Sequence, residues 1–206
     1  LINYRYQDLA FLLQTLKQNN LNDGSVNPFK NNIDFENVGA MGHSMGGGTT
    51  YIAMLKNNEV KAGVALDGWF FGLLNEDAQT NTKKPFLHIG QEQFLDKDIE
   101  GDINFSKDGK INFDIYNTIL ATNKESYGVY IKNSLHYSYT DMKLIYNQKA
   151  PFALPLDSLG EVDKKIVDQV MDKTVLDFFN YSLKGQPFDI KNNNTYNNQV
   201  IYNTHP

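Results

Sequence analysis

Val38-Gly39-Ala40-Met41-Gly42-His43-Ser44-Met45-Gly46-Gly47-Gly48 is the stretch on which the fold turns. Ile33–Met41 reads as a short strand ending in glycine. From Gly47 to about Lys56 the pattern becomes helical, with Tyr51, Ile52, Met54 and Leu55 giving a partly apolar face. Between the two, Gly42-His43-Ser44-Met45-Gly46 fits G-x-S-x-G, a strand–turn–helix that lifts a serine hydroxyl clear of the sheet. Such a turn is tight and strained, and the crossing backbone leaves no room for side chains two residues either side of the serine. Gly42 and Gly46 are expected to supply that room. Glycines at a helix start cost about 1 kcal/mol each relative to alanine, and close helix–sheet packing behind a nucleophile would justify the run Gly46-Gly47-Gly48.

Outward from the turn, strands and helices keep alternating. Leu9, Leu12, Leu13 and Leu16 predict an amphipathic helix over Arg5–Gln18, followed by a polar loop over Asn19–Asn32. Val60–Leu66 and Pro85–Ile89 read as buried parallel strands, Ile111–Thr122 as a helix, Tyr127–Lys132 as a strand and Tyr139–Tyr146 as a short helix. Val162, Ile166, Val167, Val170, Met171, Leu176, Phe179 and Leu183 form the stripe of a long helix, with Ser158 and Glu161 resembling a capping box before it. This predicts an α/β domain with a mostly parallel sheet flanked by helices over residues 1–185. Residues 186–206, Asn-rich and aperiodic, are expected to be a loosely ordered tail. Three or four strands are few for such a sheet, so further strands are expected upstream of Leu1.

Composition narrows the function. Of 206 residues, 41% are apolar and 21% charged, as in ordinary globular domains, which excludes a disordered or fibrous chain. No apolar run approaches the eighteen residues that a membrane-spanning helix needs. A net charge of −5 makes a poor partner for phosphate backbones, so nucleic acid is excluded as a partner. The absence of cysteine removes disulfides, thiol nucleophiles and thiolate metal sites. Asp102-Ile103-Asn104 and Asp108-Gly109-Lys110 lack calcium-loop spacing and read as turns, and the chemistry calls for no metal or cofactor.

A serine needs a base to take its proton. His43 adjoins Ser44 and would point away from it as a structural hydrogen-bonding residue. His88 lies in a predicted buried strand, and His205 in the tail. His136 follows a strand, in the loop Asn133–Ser138, where a parallel sheet presents its chemistry; it is the expected base. The orienting acid has two addresses. Asp67 closes the apolar run Val60–Leu66, whereas Glu92 and Asp96 follow the next strand, the more usual position. The aromatic run Trp69-Phe70-Phe71 could wall an acyl or lipid site or simply pack the core.

Gly42-His43-Ser44-Met45-Gly46-Gly47, Ala65-Leu66-Asp67-Gly68-Trp69 and Asn133-Ser134-Leu135-His136 together resemble the plasma-type platelet-activating-factor acetylhydrolases over most of the chain. The most telling segment is the A-L-D-x-W run after the serine. The resemblance implies an α/β-hydrolase fold, of which this chain is the C-terminal portion, and a serine esterase with Ser44 as nucleophile, Asp67 as acid and His136 as base. The Met45 N–H would be one oxyanion donor; the second would come from an N-terminal half of the domain, so that these residues alone would be inactive and poorly stable. The implied substrate is a small ester or phospholipid bearing a short acyl chain, cleaved without calcium, with peripheral contact to membrane lipid. Trp69, Phe70 and Tyr137 would border the substrate. Met45 stands where the family usually has phenylalanine, and Tyr137 replaces a different polar residue, so acyl preference stays open. The family's habits point to an exported, envelope-associated bacterial protein. Two other readings remain at this stage: a general short-chain esterase or cutinase-like polyester hydrolase, and an inactive binding protein on the same fold.

Overall fold

The computed structural model describes residues 1–21, 27–95, 107–123, 125–146, 159–190 and 198–205. Five strands form one sheet in the order β1 (Val38–His43), β2 (Val60–Leu66), β3 (Phe86–Gln91), β4 (Ser126–Ile131), β5 (Val200–His205). The first four are parallel in sequence order, and β5 returns antiparallel to β4. The helices are α1 (Ile2–Leu21), α2 (Met45–Lys56), the short α3 (Asn75–Ala78), α4 (Lys107–Thr122), the short α5 (Met142–Tyr146) and α6 (Lys164–Lys184).

The inner parallel strands β2, β3 and β4 are buried on both faces, as near-continuous apolar runs require, whereas β1 at the sheet edge buries Ala40 and leaves Met41 exposed. One face packs Ala65, Phe86 and Tyr130 against Tyr51, Ile52 and Met54 of α2 and Tyr116, Ile119 and Leu120 of α4. The other packs Ala62, Val64, Leu87, Ile89, Val129 and Ile131 against Val167, Val170 and Phe178 of α6. The sheet therefore holds the C-terminal ends of β1 to β4 side by side along one rim. That rim is where helix-flanked parallel sheets bind their ligands.

Several expectations need correction. The tail after Gly185 carries a strand: Val200–His205 pairs with β4 through six residues, because Val200 and Ile201 have an open sheet edge to cover. His205 thus ends a strand. Ser158 lies outside the described residues, as does Asp102-Ile103-Asn104; α6 is instead capped by Asp163, whose side chain accepts from the Lys165 N–H at 2.9 Å. Asp108-Gly109-Lys110 opens α4 rather than forming a turn. On α6 the buried stripe runs through Val167, Val170, Thr174 and Phe178, which leaves Leu176 facing outward. On α1 only Ile2 is buried, and Leu12 is exposed.

Candidate active site

Ser44 follows the end of β1 with φ 58 and ψ −124, a conformation that L residues avoid. Three backbone bonds hold it there. Its N–H donates to the Leu66 carbonyl at 2.9 Å, and its carbonyl accepts from Gly47 N–H at 2.9 Å and Trp69 N–H at 2.8 Å. A Cβ on Gly42 would lie 2.4 Å from the Gly46 carbonyl, so the turn closes only with glycine there. Gly46 is different from expectation: a Cβ on it would meet nothing within 4 Å, and the crowding comes from its backbone. Gly47 permits the close packing, since its Cβ would sit 2.8 Å from Gly68 Cα and 2.9 Å from Ala65 Cβ. Met45 opens α2, so its N–H has no partner within the helix and the helix dipole favours negative charge beside Ser44.

Asp67 directly follows β2, also at positive φ (43), and its N–H donates to the Ile89 carbonyl at 2.7 Å. Only 1% of its side chain is exposed, and a carboxylate so buried must be partnered. It has three donors: His136 Nδ1 at 2.6 Å, the Gln91 N–H at 3.2 Å and the Gln91 side-chain amide at 3.2 Å. Asn112 holds the loop beyond it, donating to the Gly68 carbonyl at 3.2 Å and accepting from the Phe70 N–H.

His136 sits in the loop after β4, and that loop is tied at both ends. Asn133, at φ 56, donates its N–H to Glu92 Oε1 at 3.0 Å, while its carbonyl accepts from Glu161 and Val162. Ser134 Oγ donates to the Ile131 carbonyl at 2.6 Å and pairs with the Tyr139 hydroxyl at 2.7 Å. Ser138 Oγ accepts from Leu135 N–H and donates to the Leu159 carbonyl. Burial, and then the Asp67 charge, push the Tyr139 phenol well above its usual pKa, so it remains a neutral brace.

The loop presents His136 Nε2 3.0 Å from Ser44 Oγ. With Asp67 accepting at Nδ1, the ring proton belongs there, and Nε2 has a lone pair free for the serine hydroxyl. The ring is framed on its other sides too. Trp69 stacks on it at 4.9 Å with planes 19° apart, and Tyr137 meets it edge-on at 5.4 Å. His43 Nε2–H donates to the His136 carbonyl at 2.9 Å, its ring 4.6 Å away. Burial, and then the nearby His136 charge, lower the His43 pKa, so it stays a neutral donor. His136 remains reachable, with 17% of its side chain exposed.

The structure thus brings Ser44, Asp67 and His136 together, with Met45, Trp69 and Tyr137 around them. Phe70 goes elsewhere: it is fully buried, stacked on Tyr116 at 5.8 Å and packed near Phe86 and His88, because Trp69 and Phe70 point in opposite directions from the loop. Glu92 binds the Asn133 backbone rather than His136, and Asp96 lies outside the described residues. His88 is fully buried in β3, as expected of a core histidine. Among the described residues no cluster of His, Asp or Glu side chains could hold a metal ion. Gln91 and Asn112 escape sequence reading, since neither carries a charge or a motif; the one available signal is that Gln91 follows the predicted parallel strand Pro85–Ile89 by two residues.

A family model described as platelet-activating factor acetylhydrolase, isoform II, matches residues 13–201. A platelet-activating factor acetylhydrolase of Gallus gallus is 30% identical over 123 residues, which are 60% of this chain and 26% of the relative. One from Cavia porcellus is 24% identical over 153 residues, 74% of this chain and 31% of the relative. The chain therefore spans about a quarter to a third of the length of these curated relatives. Among solved structures, a ferulic acid esterase from Streptomyces cinnamoneus superposes with a TM-score of 0.70 at 20% identity, over 98% of this chain and 54% of that one. That likeness is one of fold, and the fold is that of the α/β-hydrolases.

Proposed function

The chain belongs to the platelet-activating factor acetylhydrolase, isoform II, family, and from that premise we propose that it is a serine hydrolase of short-chain acyl esters, acetyl esters first. The observation that carries the reading is the continuous contact from Ser44 Oγ to His136 Nε2 at 3.0 Å and from His136 Nδ1 to Asp67 Oδ2 at 2.6 Å. A hydroxyl is a poor nucleophile until a base takes its proton as the bond forms, and a buried carboxylate both orients that base and stabilises its charged form.

In the proposed reaction His136 Nε2 takes the Ser44 proton as Oγ attacks the ester carbonyl. The tetrahedral oxyanion forms beside the N-terminus of α2, within reach of the Met45 N–H. Collapse expels the alcohol, which receives the proton from His136 and leaves Ser44 acylated. Water then attacks the acyl-enzyme with His136 again as base, releasing the acid and restoring the hydroxyl. Trp69, beside the His136 ring and partly exposed, and Tyr137 are the side chains placed to border the acyl group. The rival address for the acid, after β3, is disfavoured because Glu92 is engaged by the Asn133 N–H. Small esters and short-chain phospholipids are the proposed substrates.

A fluorophosphonate probe tests the reading directly. The full chain should be labelled once, on Ser44, and Ser44→Ala should lose both labelling and acetyl-ester turnover. A folded protein that resists the probe, or a Ser44→Ala variant that still hydrolyses acetyl esters, would refute it. Rates on acetyl against longer acyl esters, in phospholipids and in simple esters, then place the substrate class.

A further inference from the structure

β3 runs between β2, which is followed at once by Asp67, and β4, which leads into the His136 loop. Its last residue, Gln91, therefore lies at the rim between the two groups, paired in register with Ile131 of β4. Both polar groups of Gln91 that can donate are spent on one carboxylate. The backbone N–H reaches Asp67 Oδ1 at 3.2 Å, and the side-chain Nε2 reaches Asp67 Oδ2 at 3.2 Å. Oδ2 is also the oxygen that accepts from His136 Nδ1 at 2.6 Å. The amide and the imidazole thus converge on the same atom.

We infer that Gln91 is a positioning residue: it fixes the plane of the Asp67 carboxylate against His136, and its side chain fills a second station from which a carboxylate can serve the same ring. The inference rests on the proposed triad. One N–H on each carboxylate oxygen stops the group rotating about its Cβ–Cγ bond, which a single backbone donor would allow. Donation to the ionised form also favours that form. An amide at this station cannot orient an imidazole as an anion does, but a glutamate is nearly isosteric with it. In a chain carrying both Asp67→Asn and Gln91→Glu, the amide and the carboxylate exchange places while the pair keeps its composition and charge.

The test uses acetyl-ester kinetics on the full chain, with thermal unfolding of every variant to establish that it is folded. Asp67→Asn should lower kcat about 10⁴-fold, as loss of the orienting anion does in other serine hydrolases. Adding Gln91→Glu to it should restore at least about tenfold of that loss, and Gln91→Asp, with its shorter reach, should restore less. Gln91→Ala alone should lower kcat about five- to tenfold at unchanged KM. A Gln91→Ala enzyme with the parent kcat overturns the inference, and so does failure of both double variants to exceed Asp67→Asn. Either result leaves the triad standing. An Asp67→Asn enzyme with full turnover would instead remove the triad itself.

Discussion

His88 lies within β3 and His136 in the loop that follows the neighbouring strand β4; both stand among aromatic rings and near Asp67, yet their surroundings make them opposites. His136 has a carboxylate on one ring nitrogen and a hydroxyl on the other. His88 accepts the Gly68 N–H at Nε2, at 3.3 Å, so its proton lies on Nδ1, which finds no hydrogen-bond partner among the described residues. Tyr116 and Phe94 press on its ring at 4.4 and 4.6 Å. Burial drives its pKa down to about 4, against which the Asp67 charge acts only weakly. The lesson is positional. Inside a strand the imidazole is a neutral packing group that braces the Asp67 turn; one loop beyond the strand's end it has room for two partners and access to water.

The largest expected effect separates the two roles. His136→Ala should cut acetyl-ester kcat by about 10⁴- to 10⁶-fold, while its melting temperature stays within a few degrees of the parent, because the ring's bonds to Ser44 and Asp67 do not close the core. A large fall in stability at modest loss of rate would erase the contrast with His88.

The next effect belongs to His88 and reads on stability. Its folded-state pKa is lower than its unfolded one, so the unfolded chain binds a proton that the folded chain refuses between pH 6.5 and about 4. Stability from this group is complete above pH 6.5 and is lost as pH falls towards 4, by roughly 3 kcal/mol. Denaturant unfolding across that window should show the slope, and His88→Phe should flatten it. An unchanged slope in that variant would mean that other groups carry it.

The smallest effect sharpens the comparison at a third histidine. His43 touches the site through its donation to the His136 carbonyl and through its ring, 4.6 Å from that of His136. His43→Ala should lower kcat about tenfold at unchanged KM, and His43→Gln, which can still donate, should recover part of it. Equal loss in the two variants would deny the hydrogen bond its role.

How much of this was legible in the sequence follows from the range of each interaction. The Ser44 turn could be read because it is local: a strand, a glycine that must lack a side chain and a helix start all lie within a dozen residues. β2 was readable to the residue, since a run buried on both faces needs only apolar side chains. Strand β5 was not, because Val200, Ile201 and Tyr202 are a run of only three between polar flanks and become a strand only against the open edge of β4. Nor was the outward turn of Leu176, whose spacing suits a stripe but whose position on α6 misses the sheet.

The same division runs through the site. Residue type and local spacing nominated Ser44, placed His136 beyond a strand and made Asp67, with Glu92 and Asp96, a candidate acid, since those inferences need only neighbours along the chain. The parallel order of β1 to β4 decided the rest. It set three loop ends side by side, turned Glu92 towards the Asn133 backbone, sent Phe70 into the core and put the Gln91 amide on the Asp67 carboxylate. Those are contacts between residues far apart in the sequence, and their geometry exists only once packing of the two sheet faces has fixed the strands in register.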